Sequence, residues 1–256
     1  YSVALGSSIA SGTQSTASGN STASGLASVG LGGANASGSH AVALGFAATA
    51  SGNNSFALGT SVTANGTNSI AFGNYVSTSG FNGALTIGDN STTTVMGTFV
   101  ANGFRSRFAG GYRLFTTSDV TIGCFLNAGA NSWAPLSDVR LKENFEPVDG
   151  ELFLQKIAKM PLTTWNYKTQ DAATFRHYGP MAQDFFAAFG KDSYGTIGCD
   201  TLINQQDFLG VNLIAIQALE KRTQKIEQLE KENTELRNML LKLRKKIDEH
   251  KFKKKK

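Results

Sequence analysis

The sequence predicts a multidomain fibrous protein in which an all-β solenoid, a short β neck, an α+β domain and a coiled coil follow one another along the chain. Glycine recurs every six or seven residues through roughly the first third of the 256 residues, as in a repeat architecture. Lysine and arginine are absent before Arg105, so the net charge of +5 belongs to the C-terminal part. Apolar residues near the C-terminus alternate by steps of three and four, which is a heptad pattern.

The solenoid is predicted for residues 1–97, from two alternating glycine contexts. One is apolar, as in Val42–Gly45, and the other is small, as in Ala50–Gly52. Each unit of about fourteen residues therefore holds two short strands, each followed by a glycine turn. Within the apolar strand, Val42 and Leu44 share one face and the alanine between them lies on the other. Because one coil cannot bury its apolar face, stacked coils are expected to form a continuous narrow core.

The repeat offers no catalytic or metal-binding chemistry. Asp89 is its only acidic residue, so a carboxylate pair for glycan hydrolysis is excluded here, and so is a calcium-binding nonapeptide repeat. Cys124 and Cys199 lack the spacing of a metal site or disulfide scaffold and are expected to be free, buried thiols. The sequence thus predicts neither a metal nor a cofactor.

The elements Ala64–Gly66 and Ser69–Gly73 resemble the head repeat of YadA-like trimeric autotransporter adhesins. The resemblance covers about residues 1–90 and implies a left-handed parallel β-roll with three chains packed side by side. Residues Thr13–Gly25 lack a bulky apolar strand, so the first turns are expected to be looser. The polar outer residues are expected to be a solvated surface, with a host-surface glycan or receptor as the alternative role.

Residues 98–136 are predicted to form the β neck, because short aromatic stretches interrupted by glycines replace the repeat. Aromatic residues interleaved with arginine are also found where single-stranded nucleic acid stacks. Three wrapped chains with aromatics between them and arginines at the rim account better for the pattern, so no nucleic-acid partner is expected. The aromatic and arginine residues are Phe99, Phe104, Arg105, Arg107, Phe108, Tyr112, Arg113 and Phe115.

Residues 213–250 are predicted to form the coiled coil. Asn233 is a polar seam residue, which restricts the register at a cost in stability, and the mixture of leucine and isoleucine does not choose between two and three strands. The basic tail, residues 251–256, is expected to be a solvated end. The seam residues are Ile226, Leu229, Asn233, Leu236, Leu240, Leu243 and Ile247.

Residues 137–212 are predicted to form an α+β domain. A short helix is expected at Glu151–Ile157, a strand at Thr163–Tyr167 and a second helix at Met181–Phe189. The long helix is expected to begin near Val211, after Gly210. No stretch of the chain reaches the roughly 18 apolar residues of a membrane span.

Ser137 and Lys142 stand at the boundary between the uncharged and charged halves of the chain. A lysine can activate a serine nucleophile without a histidine. Because the ordinary lysine pKa is about 10.4, a lysine base has to be made neutral, for which burial is one cause and a nearby cation another. Arg140 is close enough in sequence to be that cation.

Three motifs in order, Ser137–Asn144, Trp165–Tyr167 and Tyr178–Asp184, resemble the endosialidase-type intramolecular chaperone domain of phage tailspikes and tail fibres. The resemblance covers about residues 137–245. It implies a domain that trimerises, guides folding of the preceding β-structure and is released by serine–lysine autoproteolysis. It also implies Ser137 as nucleophile and Lys142 as base, with Asp138, Arg140 and Asn144 in supporting roles.

The size of the ring formed during attack predicts which peptide bond breaks. Attack by the Ser137 hydroxyl on the carbonyl of Leu136 closes a five-membered ring, whereas attack on its own carbonyl closes a strained four-membered ring. We therefore expect cleavage at Leu136–Ser137. Attack by the serine of a neighbouring chain closes no such ring, and it favours cleavage at Ser137–Asp138 instead.

The resulting hypothesis is a homotrimeric fibre on a virion tail or a bacterial surface. Its C-terminal domain drives trimerisation, then acts once as a self-cleaving serine endopeptidase. The alternative is a static trimeric adhesin in which the same domain is a permanent clamp without proteolysis.

Overall fold

The computed structural model describes residues 1–253, and the chain forms two compact units, Tyr1–Leu136 and Ser137–Lys256. The division falls at the bond for which cleavage is expected. Residues 254–256 of the predicted basic tail lie outside the described residues.

The first unit contains a sheet of thirteen strands, whose ladders are all parallel, followed by a three-stranded antiparallel sheet. The thirteen are β1 (Val3–Leu5), β2 (Ile9–Ala10), β3 (Thr16–Ser18), β4 (Thr22–Ala23), β5 (Val29–Leu31), β6 (Asn35–Ala36), β7 (Val42–Leu44), β8 (Thr49–Ala50), β9 (Phe56–Ala64), β10 (Ile70–Ser77), β11 (Leu85–Gly88), β12 (Met96–Gly97) and β13 (Phe104–Arg107). The antiparallel sheet holds β14 (Gly111–Phe115), β15 (Gly123–Asn127) and β16 (Ala134–Pro135).

The parallel ladders confirm a β-solenoid of about six turns. Val3 pairs with Thr16, and Thr16 with Val29, so these coils are thirteen residues long (16 − 3 and 29 − 16). Phe56 pairs with Ile70, which gives a later coil of fourteen (70 − 56). The expectation of looser early turns is wrong, because β3 and β4 continue the same ladders and their alanines, Ala17 and Ala23, are fully buried.

The solenoid interior is made of small side chains. Alanines such as Ala43, Ala57 and Ala71 have 0% exposure, whereas their bulky neighbours point outward, with Ile70 and Phe72 41% and 46% exposed. The alternation along the strands is as expected, but stacking within one chain buries the alanine face and leaves the bulky apolar face outside. Alanine and serine fill most of this interior, which leaves little room for larger residues, and the largest side chains fully buried there are Val62 and Val76.

Stacked glycines explain the period of the repeat. A Cβ on Gly25, Gly38 or Gly52 would overlap the carbonyl oxygen of the corresponding glycine in the next coil. The coils touch through backbone at these corners, so only glycine fits.

A charge cluster lies at the C-terminal end of the solenoid. The Arg107 Nε is 3.1 Å from the Asp89 carboxylate, and the same carboxylate accepts the backbone N–H of Ala109 at 2.6 Å. The backbone N–H of Ala109, followed by the Ser91 hydroxyl, lowers the pKa of Asp89 to about 2. The parallel sheet extends past the expected boundary at residue 97, because β13 pairs with β11.

Up to Lys253, the second unit contains three α-helices, a 3-10 turn and a two-stranded antiparallel sheet. These are the turn Val139–Leu141, α1 (Gly150–Lys159), β17 (Thr163–Trp165), β18 (His177–Gly179), α2 (Ala182–Phe189) and α3 (Gln205–Lys253). The long helix begins six residues before the expected Val211 (211 − 205) and runs through Gly210. Its start is set by Asn204, whose side chain accepts the backbone N–H of Gln206 at 2.8 Å in an N-cap arrangement.

A small aromatic core joins the helices. Phe185 and Phe189 of α2 pack with Val211 of α3 and with Phe153 of α1. The first turn of α1 lies against α3, where a Cβ on Gly150 would come within 2.9 Å of the Ala218 side chain. This packing uses one face of the first part of α3.

The remainder of α3 exposes its predicted seam. The apolar seam residues are all on the helix surface, and each is at least 44% exposed within the single chain. They are Ile226, Leu229, Leu236, Leu240, Leu243 and Ile247.

Candidate functional site

A single turn brings Ser137 and Lys142 together. Residues Val139–Leu141 form one turn of 3-10 helix, and Lys142 donates its backbone N–H to the carbonyl of Val139. The chain folds back on itself, so that the Lys142 Nζ lies 2.7 Å from the Ser137 Oγ. This is hydrogen-bond distance, at which a proton can pass between the two groups.

Asp138 and Arg140 stabilise the turn. The Asp138 carboxylate accepts the backbone N–H of Arg140 at 2.9 Å and the Nε of the same residue at 3.0 Å. These bonds, chiefly the one from the Arg140 side chain, lower the pKa of Asp138. The sequence suggested like-charge repulsion between Arg140 and Lys142, but in the structure the guanidinium is paired with a carboxylate.

Asn144 directs the chain out of the turn. Its φ of 56° lies in the left-handed region, which asparagine tolerates better than most residues other than glycine. Its contribution in the structure is therefore to the backbone path after Lys142.

Gln206 is a further member of the site that sequence reasoning missed. Its Nε2 lies 3.3 Å from the Ser137 Oγ, although the two residues are 69 positions apart. The sequence carried one usable signal, since Asn204 is a good N-cap and places Gln206 in the first turn of a helix. Nothing in the spacing pointed from that turn to Ser137.

The site is open to water in the single chain. Ser137, Lys142 and Gln206 are all exposed. On the other side of the expected scissile bond, Leu136 is partly buried and its N–H donates to the carbonyl of Gly123 in β15 at 3.0 Å. The carbonyl side of this bond is therefore anchored to a strand.

Trp165 and Tyr167, from the second motif, form an aromatic cluster with His177, the residue before the third motif. Trp165 stacks on His177 with ring centroids 4.6 Å apart, and Tyr167 meets Trp165 edge-on at 5.1 Å. The His177 Nε2 is 3.2 Å from the Gln170 Oε1. His177 thus packs in a cluster that includes both strands of the small sheet.

Within residues 1–253, no group of three or more His, Cys, Asp or Glu side chains is arranged to hold a metal ion. None of the helices in that range is both long and apolar enough to cross a membrane. Cys124 and Cys199 are free, but both are only partly buried, so the expectation of buried thiols is wrong.

Two families of known proteins match separate segments of the chain. Residues 137–192 match the family described as chaperone of endosialidase. Residues 36–61 and 63–75 match two copies of the YadA head domain repeat. No curated protein matches the sequence at a significant level. The chain therefore carries, in this order, a segment similar to YadA head repeats in its first unit and a segment similar to the chaperone of endosialidase at the start of its second.

Proposed function

We propose that the chain is part of a homotrimeric surface fibre whose C-terminal domain assists trimer folding and then releases itself by cutting Leu136–Ser137. The observation that carries this proposal is the 2.7 Å hydrogen bond between Lys142 Nζ and Ser137 Oγ. The supporting roles proposed for Asp138 and Arg140 are to hold the turn that makes this contact.

The proposed reaction has two stages. Neutral Lys142 takes the Ser137 hydroxyl proton while Oγ attacks the Leu136 carbonyl carbon. The proton then passes to the Ser137 nitrogen, the C–N bond breaks, and Leu136 is left as an ester on Oγ. Water attacks the ester carbonyl, and Oγ leaves and regains a proton. The products are a chain ending in a Leu136 carboxylate and a chain beginning with the Ser137 amine.

Trimer formation is supported by the unpaired apolar surfaces of both units. In the head, the outward-facing Ile70 and Phe72 follow the same face as half-buried Phe56 and Leu58. In the second unit, the α3 seam is exposed along its length. Each surface is too apolar and too regular to remain in water, and three-chain packing would cover both.

Assembly also accounts for when cleavage occurs. The site is exposed in the single chain, where bulk water stabilises a charged lysine. Packing of neighbouring chains around the turn would exclude that water. The chaperone would therefore remain attached while the chains search for their register, a stage in which a coiled coil raises local concentration.

The test is a time course of the full chain synthesised in a cell-free system, analysed by denaturing electrophoresis and mass spectrometry. Wild type is expected to yield fragments that end at Leu136 and begin at Ser137. Ser137→Ala and Lys142→Arg are expected to stay intact, because arginine keeps the charge but does not act as a base. Ser132→Ala is the matched serine control and is expected to cleave as wild type.

Each other outcome is decisive. A wild-type trimer that stays full length would contradict the protease activity and favour the permanent clamp. A cut at Ser137–Asp138 removes the five-membered-ring mechanism and indicates attack by a neighbouring chain.

A further inference from the structure

We infer that Gln206 is a third catalytic residue of the proposed self-cleavage, acting as a neutral hydrogen-bond donor to the nucleophilic oxygen. The inference rests on the proposed function. It assigns to the first turn of α3 a chemical role in addition to its structural one.

The geometry is fixed by the helix start. Asn204 accepts the backbone N–H of Gln206 through its side chain at 2.8 Å and the N–H of Phe208 through its carbonyl at 3.0 Å. Phe208 packs against Phe185 in the helical core, with ring centroids 5.8 Å apart. The backbone of Gln206 is thereby held, and its side chain reaches the Ser137 Oγ at 3.3 Å.

The two partners of Ser137 Oγ have complementary chemistry. Lys142, once neutral, accepts the hydroxyl proton, whereas an amide Nε2 is a donor at every working pH. As the proton moves to Lys142, negative charge develops on Oγ. A donor already in position stabilises that charge without reorganising during the reaction. Gln206 thus assists the step in which Oγ becomes the attacking atom, and it neither gains nor loses a proton.

The position of Gln206 also connects the reaction with assembly. It lies on the same continuous helix as the exposed seam residues Ile226 and Leu229. Assembly that orders α3 therefore also orders the donor at its N-terminus.

The test compares three variants of the full chain in the same cell-free time course. Gln206→Glu keeps the shape and the acceptor atoms but loses the Nε2 donor. Gln206→Ala loses the whole amide. Gln205→Ala is the matched control, a glutamine of the same helical turn that is also exposed. Trimer content is measured by native mass spectrometry, and cleavage rates are expressed per folded trimer.

Gln206→Ala is expected to slow cleavage about tenfold, the value of one hydrogen bond to a reacting atom. Gln206→Glu is expected to be slower still and to move the pH–rate profile to higher pH, because a carboxylate beside the reacting groups favours their protonated forms. Gln205→Ala is expected to match wild type. A purely structural role for Gln206 would leave the cleavage rate of Gln206→Ala, expressed per folded trimer, equal to that of wild type.

Three results overturn the inference. Gln206→Glu at the wild-type rate would show that the donor is not used, and Gln206→Ala at the rate of Gln205→Ala would show that the contact does not matter. In both cases the Ser137 and Lys142 proposal survives. Absence of any Ser137-dependent cleavage in wild type overturns that proposal and this inference together.

Discussion

The head and the C-terminal unit bury their apolar surface in opposite ways. In the head, the coils enclose mainly alanine and serine, and residues such as Ala43 and Ser69 have 0% exposure within one chain. In the second unit, a small cluster around Phe185 and Phe189 is buried while the leucines of α3 remain at the surface. The interior of the head is thus complete in one chain, whereas the long helix of the second unit leaves its apolar seam exposed in one chain.

The forces involved differ accordingly. Coils of the head are joined by parallel backbone ladders and by glycine corners at which one backbone rests on another. In the proposed trimer, the C-terminal helix is joined to other chains by side chains of the seam. A substitution in the solenoid interior is therefore expected to act within the chain, and one on the seam to act on the oligomeric state.

The largest expected effect is that of Gly52→Ala. Gly52 is buried and its φ is outside the left-handed region, but its Cβ would overlap the carbonyl oxygen of Gly66 in the next coil. Because two backbones have to separate, we expect a loss of about 3 kcal/mol or more in the free energy of unfolding. Urea unfolding of the full chain, followed by far-UV circular dichroism, measures it.

The matched control is Gly80→Ala. Gly80 has a φ of 80° and no atom within 4 Å of an added Cβ, so backbone strain of about 1 kcal/mol is the only cost. Equal destabilisation by the two variants would contradict backbone contact as the reason for the glycine period.

Substitution of two adjacent leucines tests whether α3 associates through its seam or through another face. Leu240 and Leu241 are 65% and 64% exposed in the single chain, but only Leu240 is on the heptad seam. Leu240→Gln is expected to weaken association by about 2 kcal/mol per chain, because that leucine leaves water on assembly. Analytical ultracentrifugation across protein concentrations measures the shift.

Leu241→Gln is expected to leave the mass and the association constant unchanged. If both variants weaken the assembly equally, the helices meet over a broader face than the seam. If neither does, α3 is not the association element and the comparison with the head loses its basis.

The sequence predicted the head well, because its constraint is local and repeated. A glycine every six or seven residues reports a contact that recurs in every coil, and the alternation around Ala43 follows from strand geometry. The face of the strand that turns inward was harder to predict from the sequence. Hydrophobicity favours burying Ile70 and Phe72, but the narrow interior of the coils encloses Ala71 instead.

The candidate site was predicted only where its residues are close in sequence. Ser137 and Lys142 belong to one turn, so their spacing sufficed for the contact. Gln206 reaches the same oxygen from a helix 69 residues away, and its approach depends on how α3 packs on the Phe185 core. Such a contact is set by tertiary packing, which local spacing does not encode.

A smaller effect is expected at the polar seam position. Asn233 is exposed on the α3 surface at a position otherwise occupied by leucine and isoleucine. Asn233→Ile is expected to raise coiled-coil stability by about 1 kcal/mol per chain and to relax the register. Thermal unfolding measures the first effect, and native mass spectrometry detects additional oligomeric states. A variant that is more stable and still forms one oligomer would contradict the register role.

The smallest expected effect is a pH dependence confined to the head. Asp89 has a pKa of about 2 in the folded chain and about 3.8 when unperturbed, so the unfolded chain binds more protons between these values. Its contribution is fully present above about pH 4 and is lost as the pH falls towards 2. Asp89→Asn is expected to flatten the stability profile of the head in this window, measured as urea midpoints from pH 2 to 6.

Arg107→Gln tests which partner of Asp89 matters. The backbone N–H of Ala109 is the largest cause of the lowered pKa, ahead of the Ser91 hydroxyl and the Arg107 side chain. Arg107→Gln is therefore expected to keep most of the acid dependence that Asp89→Asn removes. If the two variants flatten the profile equally, the end of the solenoid depends on its ion pair. The contrast between a backbone-built head and a C-terminal unit that relies on side chains would then not extend to the last coil.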